Sequence, residues 1–281
     1  MALSLTPVPA SRGPRWVVQA FRLFARRPLA FTGLFGLFLI ASVLVGQVPL
    51  LGSLLPMMSL PLLSLGFMVA GQSALQGGPV NASQFVAPLL VDAARRRALL
   101  VLCALYGVIA LVILLLADTL SNHAMLRLQG LLVQGESAQA EIYALLSEPG
   151  VGGGVLLGTV LGSLMAVPFW HAAALVHWGG QGVRQSLFSS TLAVWRSKGA
   201  FFTYTVAWMA VMLLFGMLAV LVFSLIGVPQ LTGVLALPAG LVFTAVFYLS
   251  VLFTFNDSFV DPAATVSSTP SASSASPPPA P

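Results

Sequence analysis

The chain has 281 residues, of which 58% are apolar and only 7% charged, against about 25% charged in soluble domains. Its mean hydropathy of +0.98 leaves too few polar side chains to cover a globule of this size, which excludes a water-soluble fold and implies an all-α polytopic membrane protein. The net charge of +5 comes from arginines beside apolar runs, the pattern of membrane topology and not of a nucleic-acid ligand.

The first feature along the chain is a basic amphipathic stretch. Trp16, Val17, Ala20, Phe21 and Phe24 recur at i, i+1, i+4, i+5 and i+8 and share one helical face, with Arg15, Gln19, Arg22 and Arg26 around the other. An apolar run follows with no small-residue cleavage site before it reaches spanning length, so it reads as a retained first span. Six stretches of about 20 residues can each cross a hydrocarbon layer of about 30 Å. They fall near 29–48, 53–75, 98–117, 153–176, 200–226 and 232–254. Turns marked by Gly46, Pro49 and Gly52, and by Gly227, Pro229 and Gly233, join spans one to two and five to six, which predicts tight hairpins.

Spans three and four are joined by a longer segment, 118–150, which carries Asp118, Glu136, Glu141 and Glu148 but only one base, Arg127. It reads as a solvated, partly helical lid, with His123 in solvent. The other eleven of the twelve basic residues lie on the opposite side. Basic residues near span ends face the cytoplasm, so both termini are expected there.

Each odd-numbered span is preceded by a basic segment, ending FRLFARRPLAFTG, LLVDAARRRALLV and LAVWRSKGAFFTY. The second places Ala82, Phe85, Val86, Leu89, Leu90 and Ala93 on one face, with Pro88 starting or kinking the helix. The third uses Val183, Leu187, Phe188, Leu192 and Trp195. Together with the recurring Gly77-Gly78 and Gly179-Gly180 pairs, they define three repeated units, each an interfacial amphipathic helix leading into a transmembrane hairpin. Basic groups at such an interface reach lipid phosphates, so the candidate headgroup contacts are Arg22, Arg26, Arg27, Arg95, Arg96, Arg97, Arg196 and Lys198.

Span four holds two further signals. Gly154, Gly158, Gly162 and Ala166 stand at four-residue spacing, a small-residue face that admits a close helix neighbour from the same chain or from a second copy. His171 is the candidate intramembrane polar residue. His177 lies six residues on, about 240° around the helix, so the pair makes no metal site. Pro56, Pro61, Pro168 and Pro238 interrupt the second member of each hairpin, a pattern that in transporters can mark a midplane site.

No nucleophile with its base, no paired carboxylates and no phosphate-cradling loop appears, and the single cysteine, Cys103, sits in an apolar run. Asn81-Ala82-Ser83 matches a glycosylation sequon on the predicted cytoplasmic side, where it is a chance match. The expectation is a single membrane domain over 1–261 with no cofactor and no catalytic residue, followed by a disordered Pro/Ser/Ala tail over 262–281.

The segments AFRLFARRPLAFTGLFGLFL at 20–39, WHAAALVHWGGQGVRQSLFSSTLAVWRSKGAFFTY at 170–204 and FYLSVLFTFNDSFVD at 247–261 carry a resemblance. Over roughly 12–261 the chain resembles a family of small uncharacterised bacterial inner-membrane proteins. More distantly, its linker-plus-hairpin units are similar to the membrane domain fused to some glycerophosphodiester phosphodiesterases. The first resemblance implies a six-helix bundle and no catalytic residue. The second implies a lean towards lipid-associated work without the phosphodiesterase activity, whose catalytic barrel has no counterpart in this sequence. The two leading expectations are a non-enzymatic accessory component in contact with anionic lipids, with or without a membrane-protein partner, and a transporter for a small or lipid-like substrate.

Overall fold

The computed structural model describes residues 3–48, 52, 54–134, 139–228 and 231–260. The Pro/Ser/Ala segment lies outside them, as do Glu136, Pro229 and Asp261. The elements in chain order are β1 (Ser4–Leu5), α1 (Gly13–Arg26), α2 (Pro28–Gly46), α3 (Leu54–Leu75), α4 (Ser83–Val86), α5 (Ala93–Leu120), α6 (Ala124–Gln134), α7 (Gln139–Leu146), α8 (Val151–Phe169), α9 (Ala172–His177), α10 (Val183–Arg196), α11 (Lys198–Leu225), α12 (Leu231–Ser258) and β2 (Phe259–Val260). Six helices are long and apolar enough to cross a membrane: α2, α3, α5, α8 continued by α9, α11 and α12.

Local chemistry sets the boundaries. Pro28 bars the helical region to the residue before it, so Arg27 sits at φ −146°, ψ 59° and separates α1 from α2. Asp92 caps α5 by accepting from Arg95 N at 2.8 Å, which starts that helix at Ala93 and places Arg95, Arg96 and Arg97 in its first turns. The second amphipathic element is shorter than its pattern suggests: one turn of α4 and a 3-10 turn at Ala87–Leu89. Pro88, with no N–H, cannot continue an α-helical ladder through its centre.

Helix α3 occupies the centre, with α5 on one side and α12 on the other. Helix α8 packs outside α5, while α2 and α11 flank α12. One apolar core joins Trp16, Leu23, Phe31, Phe67 and Leu249, and a second joins Leu65, Met68, Leu102, Leu175 and Leu252. Large apolar side chains on the far halves of α2 and α11, such as Ile40, Leu44, Leu214 and Met217, are exposed, as lipid-facing surface should be.

The hairpins are not equally tight. Helices α5 and α8 approach closely because Gly154 lies against Ala117 O and Ser121. Helices α11 and α12 meet only briefly, held apart by the ring pairs Trp208–Phe247 at 5.8 Å and Phe215–Phe243 at 4.9 Å. Nor do the prolines act alike. Helices α3 and α12 run through Pro61 and Pro238 without a break, and only Pro168 precedes an interruption.

The described residues of the 118–150 segment include the helical pair α6 and α7, and a small apolar cluster of Ala124, Leu145 and Val151 joins that pair to the start of α8. Buried Asp118 accepts from Leu126 N at 2.9 Å and meets His123 Nδ1 at 2.8 Å, and Arg127 pairs with Glu148 at 2.8 Å.

Candidate functional site: the basic end of the bundle

The last turns of α12 carry Ser250, Thr254, Asp257 and Ser258, which recur at four, seven and eight residues and so share one face. Ser250 Oγ and Tyr204 OH lie 2.6 Å apart. Thr254 Oγ1 accepts from Trp170 Nε1 at 3.2 Å and lies 3.0 Å from His171 Nε2. Asp257 receives three donors: Arg12 Nε at 2.8 Å, Arg12 Nη2 at 2.6 Å and Trp16 Nε1 at 2.6 Å. The hydrogen bond to this carboxylate raises the Arg12 pKa above its ordinary value.

His171 is fully buried, its ring ringed by Phe201, Phe255 and Phe259 at 5.4–6.1 Å. Its Nδ1 has no hydrogen-bond partner among the described residues. It stands where α8 stops and α9 has not begun, and one side chain on α10 bridges that break. Ser190 Oγ donates to Val167 O and accepts from His171 N, both at 3.0 Å, so two main-chain groups freed by the break are satisfied by one hydroxyl. Ser190→Ala is expected to cost about 1–3 kcal/mol, the penalty for an orphaned buried donor, seen as a lower unfolding temperature in detergent with secondary structure retained.

That bridge also fixes which face of α10 is packed. Ser186, Ser190 and Ala193 are buried, whereas Phe188 and Trp195 of the expected apolar face are exposed. In α1 the expectation holds: Trp16, Val17, Ala20 and Phe24 are buried, and the neighbours covering them are α11 and α12.

The eight candidate headgroup contacts divide into two kinds. Arg27 donates to Gly78 O at 2.6 Å and Gly77 O at 3.3 Å, closing the start of α2 onto the end of α3. Arg95 donates to His177 O at 3.0 Å and pairs with Asp92 at 3.1 Å, closing the start of α5 onto the end of α9. These two bind the helix C-terminal carbonyls that prefer a cation. In the third unit the N-terminal strap takes this place. Val8 N donates to Ser197 Oγ at 3.1 Å, Thr203 Oγ1 donates to Ala10 O at 2.6 Å, and β1 pairs antiparallel with β2. Arg22, Arg26, Arg96, Arg97, Arg196 and Lys198 remain exposed.

A curated relative from Burkholderia thailandensis, named a probable inner membrane protein, is 30% identical over 266 residues, which cover 92% of this chain and 94% of the relative. The chain belongs to this family of bacterial inner-membrane proteins. No protein-family model and no solved structure matches it.

In this inner-membrane protein the small-residue face of α8 is used unevenly. A Cβ at Gly154 would meet Ala117 O and Ser121 Cβ at 2.7 Å, one at Gly158 would just touch Ala117 Cβ at 3.5 Å, and one at Gly162 would meet nothing within 4 Å. Gly158 and Gly162 instead line a cavity of about 420 Å³ between α3, α5 and α8. A central cavity of about 160 Å³ shares Leu60 and Tyr106 with it. The central cavity also shares Trp170 and Phe247 with a third, of about 440 Å³, between α11 and α12.

The Arg12–Asp257–Trp16 cluster and the Ser190 bridge escape a reading based on topology, which counts Arg12 and Asp257 only as charges. The spacing of Ser250, Thr254, Asp257 and Ser258 was the available signal, since a polar stripe ending an apolar helix must face partners.

Proposed function

We propose that this inner-membrane protein is a non-enzymatic structural or accessory component whose basic end engages anionic lipids of the cytoplasmic leaflet. The observation that carries this reading is uncompensated charge. Arg22, Arg26, Arg96, Arg97, Arg196 and Lys198 are exposed without an ion-pair partner among the described residues, while Asp92 and Asp257 on that end are engaged by Arg95 and by Arg12. The positive-inside rule puts this end, and both termini, in the cytoplasm. A role without catalysis is supported by the surroundings of the His171 ring, where aromatic rings and the Thr254 hydroxyl are its neighbours and no carboxylate among the described residues lies in hydrogen-bond reach.

The test is enrichment of anionic over zwitterionic lipid around the protein in mixed-lipid nanodiscs. Each basic group near a headgroup contributes about 1 kcal/mol. The triple variant Arg96→Gln, Arg97→Gln, Arg196→Gln should therefore weaken the preference on the order of a hundredfold. An unchanged preference removes the proposal.

A second reading, a transporter for a small or lipid-like substrate, draws its support from the three cavities that share walls across the bundle. A membrane-protein partner or a second copy of the chain would have the exposed outer halves of α2 and α11 to dock on. A substrate-dependent change in Trp170 or Trp208 fluorescence favours the transporter.

A further inference from the structure

The cavity between α11 and α12 combines an apolar interior, a bilayer-facing mouth and a cation above it. Tyr204 and Trp208 form its inner wall and are 2% and 8% exposed, whereas Thr205, Met209 and Met212 at its mouth are exposed or half-buried, Met209 at 59%. The cavity exists because bulky rings, not small residues, separate the two helices. Its walls carry no charged side chain, so water and ions gain nothing there and hydrocarbon does.

The same face of α11 leads up to Lys198. Positions 202, 205, 209 and 212 each fall within about 40° of position 198 at 100° per residue, an arc of about 80° in all. Lys198, exposed Phe202, Thr205, Met209 and Met212 therefore form one line down the helix. Thr205 lies about 10 Å below Lys198 at 1.5 Å per residue, and the ammonium, 5.7 Å from the ring of exposed Trp195, sits at the helix's basic end. A phosphate at Lys198 and a chain descending past Thr205 match the layout of a phospholipid.

We propose that this groove holds one anionic diacyl phospholipid of the bilayer, its phosphate at Lys198 and one acyl chain between α11 and α12 beneath Trp170. The inference rests on the proposed engagement of anionic lipid and gives it a definite site.

The experiment is native mass spectrometry of the full chain in mild detergent, titrated with phosphatidylglycerol or phosphatidylcholine. The unsubstituted protein should retain one phosphatidylglycerol in preference to phosphatidylcholine. Lys198→Gln should weaken phosphatidylglycerol about fivefold, the effect of one basic group near a headgroup, and leave phosphatidylcholine unchanged. Thr205→Trp should fill the mouth and abolish retention of both. Met209→Trp, at a second exposed position of the mouth, should do the same without touching the buried wall, so an unfolded Thr205 variant would not decide the matter. If both tryptophan variants retain phosphatidylglycerol like the unsubstituted protein, the groove assignment is overturned. Detergent uptake with no phosphatidylglycerol preference also overturns it. If the arginine triple variant loses anionic preference while the tryptophan variants keep their lipid, the groove fails and the wider reading stands. The reverse outcome retains the groove and removes Arg96, Arg97 and Arg196 from the lipid contacts.

Discussion

Gly13→Ala is expected to lower stability by about 3 kcal/mol, at the upper end for overpacking, and Gly13→Leu by more. A Cβ at this position would lie 2.5 Å from Tyr204 N and would also overlap Ala200 O and Thr203 Oγ1. Two of these are main-chain atoms of α11, which cannot rotate aside, so α1 must lift off the bundle end. Lifting it uncovers Trp16, Val17 and Ala20, all buried against α11 and α12. For a chain of this size the change corresponds to an unfolding temperature roughly 6–12 °C lower, measurable by tryptophan fluorescence in detergent. Gly36→Ala, whose Cβ would meet nothing within 4 Å, serves as the matched control and should leave the temperature unchanged.

Asp257→Ala should be nearly as damaging. The carboxylate serves Arg12 and Trp16 together, and Trp16 is fully buried, so its Nε1 cannot turn to water once the acceptor is gone. Arg12 is about a third exposed (32%) and recovers hydration, which assigns most of the loss to the indole. The expected cost is about 2–3 kcal/mol for a charged acceptor and an orphaned donor. Asp257→Asn keeps an acceptor and should lose about half as much. Because Arg12 also anchors the strap, limited proteolysis around residues 3–12 should accelerate in the alanine variant before the bundle melts. Unchanged cleavage with a lowered melting temperature would show that the strap is held by β1 and Ser197 instead.

The helices were legible because each is a long apolar run, and the six apolar helices begin and end within a few residues of the expected stretches. The amphipathic face of α1 was legible for the same reason, since a periodicity of 3.6 survives whatever covers it. Its covering was not. Nothing in the periodicity of Trp16, Val17 and Ala20 distinguishes a lipid surface from the side of α11. The face of α10 shows the opposite failure. Ser186, Ser190 and Ala193 look like its polar side, yet inside a membrane protein small and hydroxyl-bearing residues make the contacts, while Phe188 and Trp195 face outwards. The glycines of α8 were read as one stripe, but only Gly154 meets a neighbour at close range, because α5 and α8 diverge beyond Ala117. Among the arginines, sequence could not separate Arg27 and Arg95 from their exposed neighbours, since what sets them apart is a carbonyl of a distant segment, Gly78 or His177.

The Arg12–Asp257 pair joins positions 245 residues apart in the chain. With ribosomes adding about 5–20 residues per second, the strap emerges on the order of ten to fifty seconds before its binding site exists. The strap is thus made well before the residue that fixes it. Until then the apolar side of α1 has no partner from α12, and the nascent protein must shelter it against the membrane surface or an insertion factor. A ribosome stalled before residue 257 would accordingly leave a chain whose strap lacks the carboxylate that holds Arg12 and Trp16.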